Sequence, residues 1–214
     1  MRFFSPSWIS FTLPTITLLA VSSCHYKPPY VEPAPRWRWA DVGKNCTPDA
    51  PATELSRAAR DSLGYPFGPP GKGDSWEERA RLAPKIPGGW GGLELRENGH
   101  PFGIYLIDTT QRTRALAALE AAGVPYISPA THATQGRWTY VQIYDWFRYI
   151  QSHLRYVAVN AWTLDEYRNR IWYGTEDEAA ALELDRQLTA LNVPCFLVAR
   201  EVIGRVRALS GDRE

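Results

Sequence analysis

The chain offers few side chains in arrangements that do chemistry. Its four histidines are His25, His100, His132 and His153, and no two stand at metal-ligand spacing. Three cysteines, Cys24, Cys46 and Cys195, are too few for a four-thiolate zinc site. No Gly-x-Ser-x-Gly elbow is present to expose a nucleophilic serine. Asp165 and Glu166 are adjacent carboxylates. In a hairpin, neighbours point to opposite faces, so the pair reads as solvated turn residues rather than an acid–base couple. Gly88-Gly89-Trp90-Gly91-Gly92 leads into a strand rather than a helix and lacks the Lys-Ser/Thr ending. A tight turn with close backbone approach therefore fits it better than a phosphate cradle. No catalytic residue, metal or cofactor is expected, and the chain reads as a non-enzyme.

Aromatic residues are the other conspicuous group. Trp138, Tyr140, Tyr144, Trp146 and Tyr149 lie close together. Core packing accounts for them. The sharper alternative is a surface groove for peptide or glycan, with Trp146 and Tyr149 opposite the apolar stripe of a helix. Arg112, Arg114 and Arg148 read as solvated helix faces. Twenty-four Lys and Arg against 23 Asp and Glu leave a formal charge of +1. No long-range field would then steer the chain to nucleic acid.

The elements that must position these residues fall into two regions. Residues 25–87 hold 11 of the 17 prolines, so no long element can run through them. Two short helices fit between the breaks: Thr53–Leu63, capped by Thr53, and Ser75–Ala83, with Ser75 and Glu78 in capping-box spacing. Trp37, Trp39 and Trp76 imply that part of this arm packs on the domain; an exposed aromatic patch is the alternative. From Pro87 the pattern changes. Trp90–Arg96 and Phe102–Ile107 read as strands around an Asn98-Gly99 turn. A helix over Gln111–Ala122 follows, capped by Asp108 or Thr109, with Leu116, Leu119 and Ala122 on one face, and it is stopped by Gly123 and Pro125. A third strand is expected at Trp138–Gln142, then an amphipathic helix carrying Ile143, Phe147, Ile150 and Leu154. The order then repeats: strand Tyr156–Leu164, turn Asp165–Asn169, strand Arg170–Gly174, helix Glu178–Leu191 and strand Cys195–Val202. Asn98–Pro125 aligns with Asn169–Pro194, ending in Gly-Val-Pro and Asn-Val-Pro. The expected fold is α+β: two similar ββαβ units with small antiparallel sheets, joined by a helix and preceded by the Pro-rich arm.

The amino terminus reads as an address. Trp8–Val21 carries no charge and is too short to span a hydrocarbon core of ~30 Å as a helix. The run ends in Val21-Ser22-Ser23-Cys24, which resembles a bacterial lipobox. The resemblance implies cleavage before Cys24, acylation of its thiol and a membrane tether. His25, rather than Asp, after the cysteine points to the outer membrane in a Gram-negative cell. An ordinary signal peptide cut near Ser22 or Ser23 would give the same export. Outside the cytoplasm Cys46 and Cys195 could pair, or remain as two thiols. The domain plan is thus a signal at 1–23, an arm at 24–86, a duplicated domain at 87–203 and a polar tail at 204–214.

Gly91-Gly92-Leu93-Glu94-Leu95, Asn98-Gly99 and Ile104-Tyr105-Leu106-Ile107-Asp108 resemble the first lobe of the prosegments of α-lytic-type serine proteases. Asp165-Glu166-Tyr167-Arg168-Asn169-Arg170-Ile171 is similar to the second lobe. The resemblance covers about residues 85–203. It implies a binding module that docks by strand addition, but without the protease domain that such prosegments serve. Taken together, these readings describe an envelope lipoprotein with a membrane contact through its lipid and another envelope protein as partner. A cell-envelope enzyme of unrecognised type, with a site between arm and domain, and a purely structural envelope component are the alternatives.

Overall fold

A computed structural model describes residues 38–40, 46–47, 50–63, 75–95, 101–155 and 157–205. Pro35–Glu214 forms one compact unit. The lipobox with Cys24, the tail from 206, Trp37, and the Asn98-Gly99 turn with His100 lie outside the described residues.

The arm contributes a two-residue strand β1 (Arg38–Trp39), helix α1 (Arg57–Ser62) and helix α2 (Ser75–Leu82), followed by a 3-10 turn over Ala83–Lys85. Helix α1 starts later than the sequence reading placed it. Its cap is Ser56, which accepts from the Ala59 amide at 3.2 Å, rather than Thr53. Thr53 is held elsewhere, because its carbonyl accepts the Trp146 indole N–H at 2.9 Å.

The first repeat comprises β2 (Trp90–Leu95), β3 (Pro101–Leu106), α3 (Arg112–Ala121) and β4 (His132–Gln135). Helix α4 (Tyr140–His153) connects it to the second, which comprises β5 (Val159–Asp165), β6 (Arg170–Thr175), α5 (Glu178–Ala190) and β7 (Val198–Val202). The sheet orders are β2-β3-β4 and β1-β7-β6-β5. The α+β architecture with two similar units is therefore present. Its sheets are mixed rather than purely antiparallel. Each hairpin is antiparallel, but β4 runs parallel to β3 and β7 parallel to β6. The cause is the intervening helix, which carries the chain back across the sheet so that the next strand starts at the same end.

The third strand of the first repeat lies at His132–Gln135, not at Trp138–Gln142. The alternation of Trp138, Tyr140 and Gln142 imitates a strand. Thr139 and Gln142 instead form a capping box, with Gln142 N–H on Thr139 Oγ1 at 3.2 Å and Thr139 N–H on Gln142 Oε1 at 2.9 Å. Helix α4 therefore begins at Tyr140. Strand β7 is shorter than expected at its start, because Phe196 adopts φ 62°. The two helix stops do match. Gly123 (φ 75°) and Asn192 (φ 54°) are both left-handed, and the Val124 and Val193 amides return to the Leu119 and Leu188 carbonyls at 3.0 and 3.1 Å.

One core serves both repeats. Ile104, Leu106 and Leu119 come from the first, Ile171, Leu184, Leu188 and Leu197 from the second, and Ile143, Phe147 and Ile150 from α4. Ala115 replaces the expected Ala122 on the inner face of α3, since Ala122 is exposed. Burying each such Leu or Ile contributes about 1.5–3 kcal/mol. The arm covers the far side of α4: Trp76 meets Phe147 edge-on at 5.4 Å, and Arg60 reaches the buried Asp145 at 3.1 Å. Two further links hold the arm to β7 and to the turn that leads into it. Ala40 N–H donates to Val198 O, and Cys46 is bonded to Cys195.

Candidate functional site

The two repeats meet at Asn169, the last residue of the β5–β6 turn. It is buried, at φ 56°, a conformation asparagine tolerates better than most residues. All four hydrogen-bonding positions of its amide are used. Oδ1 accepts from the Arg137 and Trp138 amides at 2.9 and 2.8 Å, and Nδ2 donates to the Gly91 and Trp138 carbonyls, each at 2.8 Å. Gly91 lies so close that a Cβ there would stand 2.4 Å from both Asn169 Nδ2 and Trp138 O. The glycine run thus serves close backbone approach, as its sequence suggested. Gly88 and Gly89 turn the chain with positive φ, and their carbonyls accept the Asp108 and Ile107 amides.

The adjoining turn residues are not solvated, contrary to the reading of Asp165 and Glu166 from the sequence. Both are buried. Asp165 Oδ2 accepts from Arg168 at 2.7 Å. Glu166 pairs with Arg79 from α2 and accepts the Leu93 amide at 3.3 Å. Burial pushes the Glu166 carboxyl above the usual carboxylate range, while Arg79 opposes the shift. Sequence could place both residues in a turn but could not show that the turn docks onto β2.

Beside Asn169 a cavity of about 460 Å³ opens between the repeats. Arg137, Arg168 and Arg170 line it together with Tyr105, Trp138 and Phe196. The Arg137 guanidinium lies 4.7 Å over the Phe196 ring. Arg170 Nε and Nη2 donate to the Arg168 carbonyl at 3.1 Å. Burial lowers the Arg170 guanidinium to about 10. Tyr105 Oη donates to the Tyr167 carbonyl at 2.8 Å, and burial, aided by the Glu94 charge, pushes its phenol up to about 12. The sequence reading had not singled out any of the three arginines as site residues. They are 31 or more positions apart across the two segments, and only the docked turn brings them together.

Glu94 Oε2 accepts from Thr134 Oγ1 at 2.9 Å and lies 2.8 Å from His132 Nε2. The threonine hydroxyl thus gives its proton to the carboxylate rather than to the imidazole. His153 Nδ1 lies 2.8 Å from both Ser152 Oγ and the Tyr149 carbonyl, within the last turn of α4. A larger cavity, of about 690 Å³, lies between the end of α1 and this turn; Arg148 in its wall donates to Leu63 O at 3.1 Å. Among the described residues no three His, Cys, Asp or Glu groups cluster as metal ligands.

Trp146 and Tyr149 meet edge-on at 5.8 Å, but Trp146 is buried beneath the arm through its bond to Thr53. Trp146 thus belongs to the packing between α4 and the arm, and Tyr149 lies half-buried beside it. Arg112 and Arg148 are likewise tied down. Arg112 Nε donates to Thr131 O at 2.9 Å, and Arg148 holds the end of α1, while Arg114 bonds only as far as Gln111. Cys46 and Cys195 are joined, and Cys24 lies outside the described residues. No described helix is long and apolar enough to cross a membrane. No family model, no curated protein and no solved structure matches the chain.

Proposed function

We propose that the chain is a cell-envelope lipoprotein, acylated at Cys24, whose α+β domain is a non-enzymatic protein-interaction module. The observation that carries this reading is Val21-Ser22-Ser23-Cys24 at the end of an uncharged amino-terminal run. The Cys46–Cys195 bond supports it, since such bonds persist mainly outside reducing compartments. The docking mode is strand addition at β5, the terminal strand of its sheet, where Trp162 stands exposed. At β2, an edge of the other sheet, backbone groups are already taken: Leu93 N–H goes to Glu166 and Gly91 O to Asn169. The prosegment likeness points to the same mode.

Intact mass spectrometry of the native product tests the first half. The expected product begins at Cys24, carries acyl chains and is two hydrogens lighter for the disulfide. A native product that begins at Met1 and stays in the soluble extract overturns it. Pull-down from detergent-solubilised envelope tests the second half, with a stoichiometric protein expected and its loss on Trp162→Ala. Repeated recovery of the bait alone counts against an interaction role.

A further inference from the structure

We infer that the segment added at β5 carries a primary amide, the side chain of Gln or Asn, and seats it in a cavity beside Trp162. The inference rests on the docking mode proposed above and names what that edge selects. Its first ground is the direction of the edge groups. Ile171 N–H bonds to Leu197 O on the β7 side, so the alternate residues Trp172 and Gly174 turn to β5, where they face Thr163 and Ala161. Trp162 stands between these two and turns its N–H and C=O to the outer edge. A residue of an added strand that bonds to both groups lies directly opposite Trp162 and sends its side chain to the same face.

The second ground is what lies on that face. Trp162 pairs with Tyr173 across the hairpin, and both line a cavity of about 190 Å³ together with Gln151, Leu154, Val157 and Val159. These six described residues include no charged side chain. A charge entering here would lose water without gaining a counter-charge, so the occupant is neutral. The volume suits one side chain, being below the roughly 300–1,000 Å³ of sites that hold whole small ligands.

The third ground is hydrogen-bonding capacity that the fold leaves unused. Tyr173 is fully buried, and Gln151 Nε2 donates to its hydroxyl at 3.3 Å. That bond uses a lone pair of the phenol and leaves its O–H proton to give. Gln151 Oε1 is left to accept, and among the described residues neither side chain has another hydrogen-bond partner. Turning the Gln151 amide over exchanges the roles and still leaves the pair one donor and one acceptor. Polar groups out of water are nearly always bonded, so the pair calls for a group that both accepts and donates. A primary amide does so: its carbonyl takes the Tyr173 proton while its NH₂ gives to Gln151. Burial pushes the Tyr173 phenol far above its ordinary range, which keeps that proton in place.

The test is calorimetric titration of the full chain in detergent with the blocked peptide acetyl-Thr-Val-Gln-Val-Thr-amide. Parallel peptides carry Leu or Glu in place of the central Gln, or a methyl group on the central backbone nitrogen. Saturable binding of the Gln peptide, at least about fivefold tighter than the Leu and Glu peptides and lost on methylation, is expected. Tyr173→Phe should erase the preference for Gln with the far-ultraviolet spectrum unchanged. Gln151→Met serves the same purpose if Tyr173→Phe does not fold. Equal binding of the three side chains, no saturation by about 10 mM, or a folded variant of either kind that keeps the preference overturns the inference. The methylated peptide separates this from the docking mode. Equal side chains with binding lost on methylation refute the amide site and keep strand addition, whereas a preference for Gln that survives methylation refutes strand addition at β5.

Discussion

Asn169 shows how much a single side chain can carry. Its four hydrogen bonds join the second repeat to strand β2 and to the turn before α4. Truncation would leave two amides and two carbonyls in a dry junction with nothing to replace the lost partners. Asn169→Ala is expected to lower the unfolding free energy by about 2–4 kcal/mol in a urea titration. A loss below about 0.5 kcal/mol would show that the junction is held by apolar packing instead. Glu183 makes a smaller, pH-dependent contribution. Hydrogen bonds from Arg186 and then Gln187 hold its carboxyl down at about 2, below the ordinary 4.5. Because the folded value is depressed, its stabilisation is present above about 4.5 and is lost as the pH falls toward 2. Glu183→Gln should therefore make stability less steep in acid across that window. Identical acid limbs for the two proteins would refute the assignment.

At the scale of elements, the two repeats end their helices by one geometry with different residues. Gly123 and Asn192 both take the left-handed conformation, and each is followed by Val-Pro. A Cβ at Gly123 would meet nothing within 4 Å, so any penalty there is conformational rather than steric. Gly123→Ala should cost about 1 kcal/mol in thermal or denaturant unfolding, and Gly123→Asn less, as Asn192 already shows. Equal costs for the two substitutions would mean that the stop is set by tertiary contacts. The hairpins, α3 and α5 were legible from period and stop signals. β4 was not, because His132-Ala133-Thr134-Gln135 has little apolar alternation and takes its place through parallel pairing with β3. The true helix start at Tyr140 was encoded in Thr139 and Gln142, but the strand-like alternation around them obscured it.

Over the whole molecule, the arm is held to the domain at its start and along α4. Cys46 and Cys195 are separated by 149 positions, so their bond closes a loop around almost the entire domain. The chain-entropy argument gives such a closure about 3–5 kcal/mol. The Cys46→Ser, Cys195→Ser pair of substitutions is expected to destabilise the fold by that amount without changing the sheets. Unchanged denaturation midpoints with and without reductant would indicate that β1 and the contacts of α1 and α2 suffice by themselves.

By itself the sequence determined the repeat, the turn between β5 and β6 and the helix stops. These follow from local rules: proline and glycine punctuation, apolar period and capping side chains act within a few residues of one another. Tertiary structure alone decided that Asp165 and Glu166 are buried, that Trp146 lies under the arm, and that Arg137, Arg168 and Arg170 share one cavity. Those outcomes depend on which surfaces dock, and docking is set by the summed burial and hydrogen bonding of segments far apart in the chain. No local pattern of charge or periodicity encodes that sum.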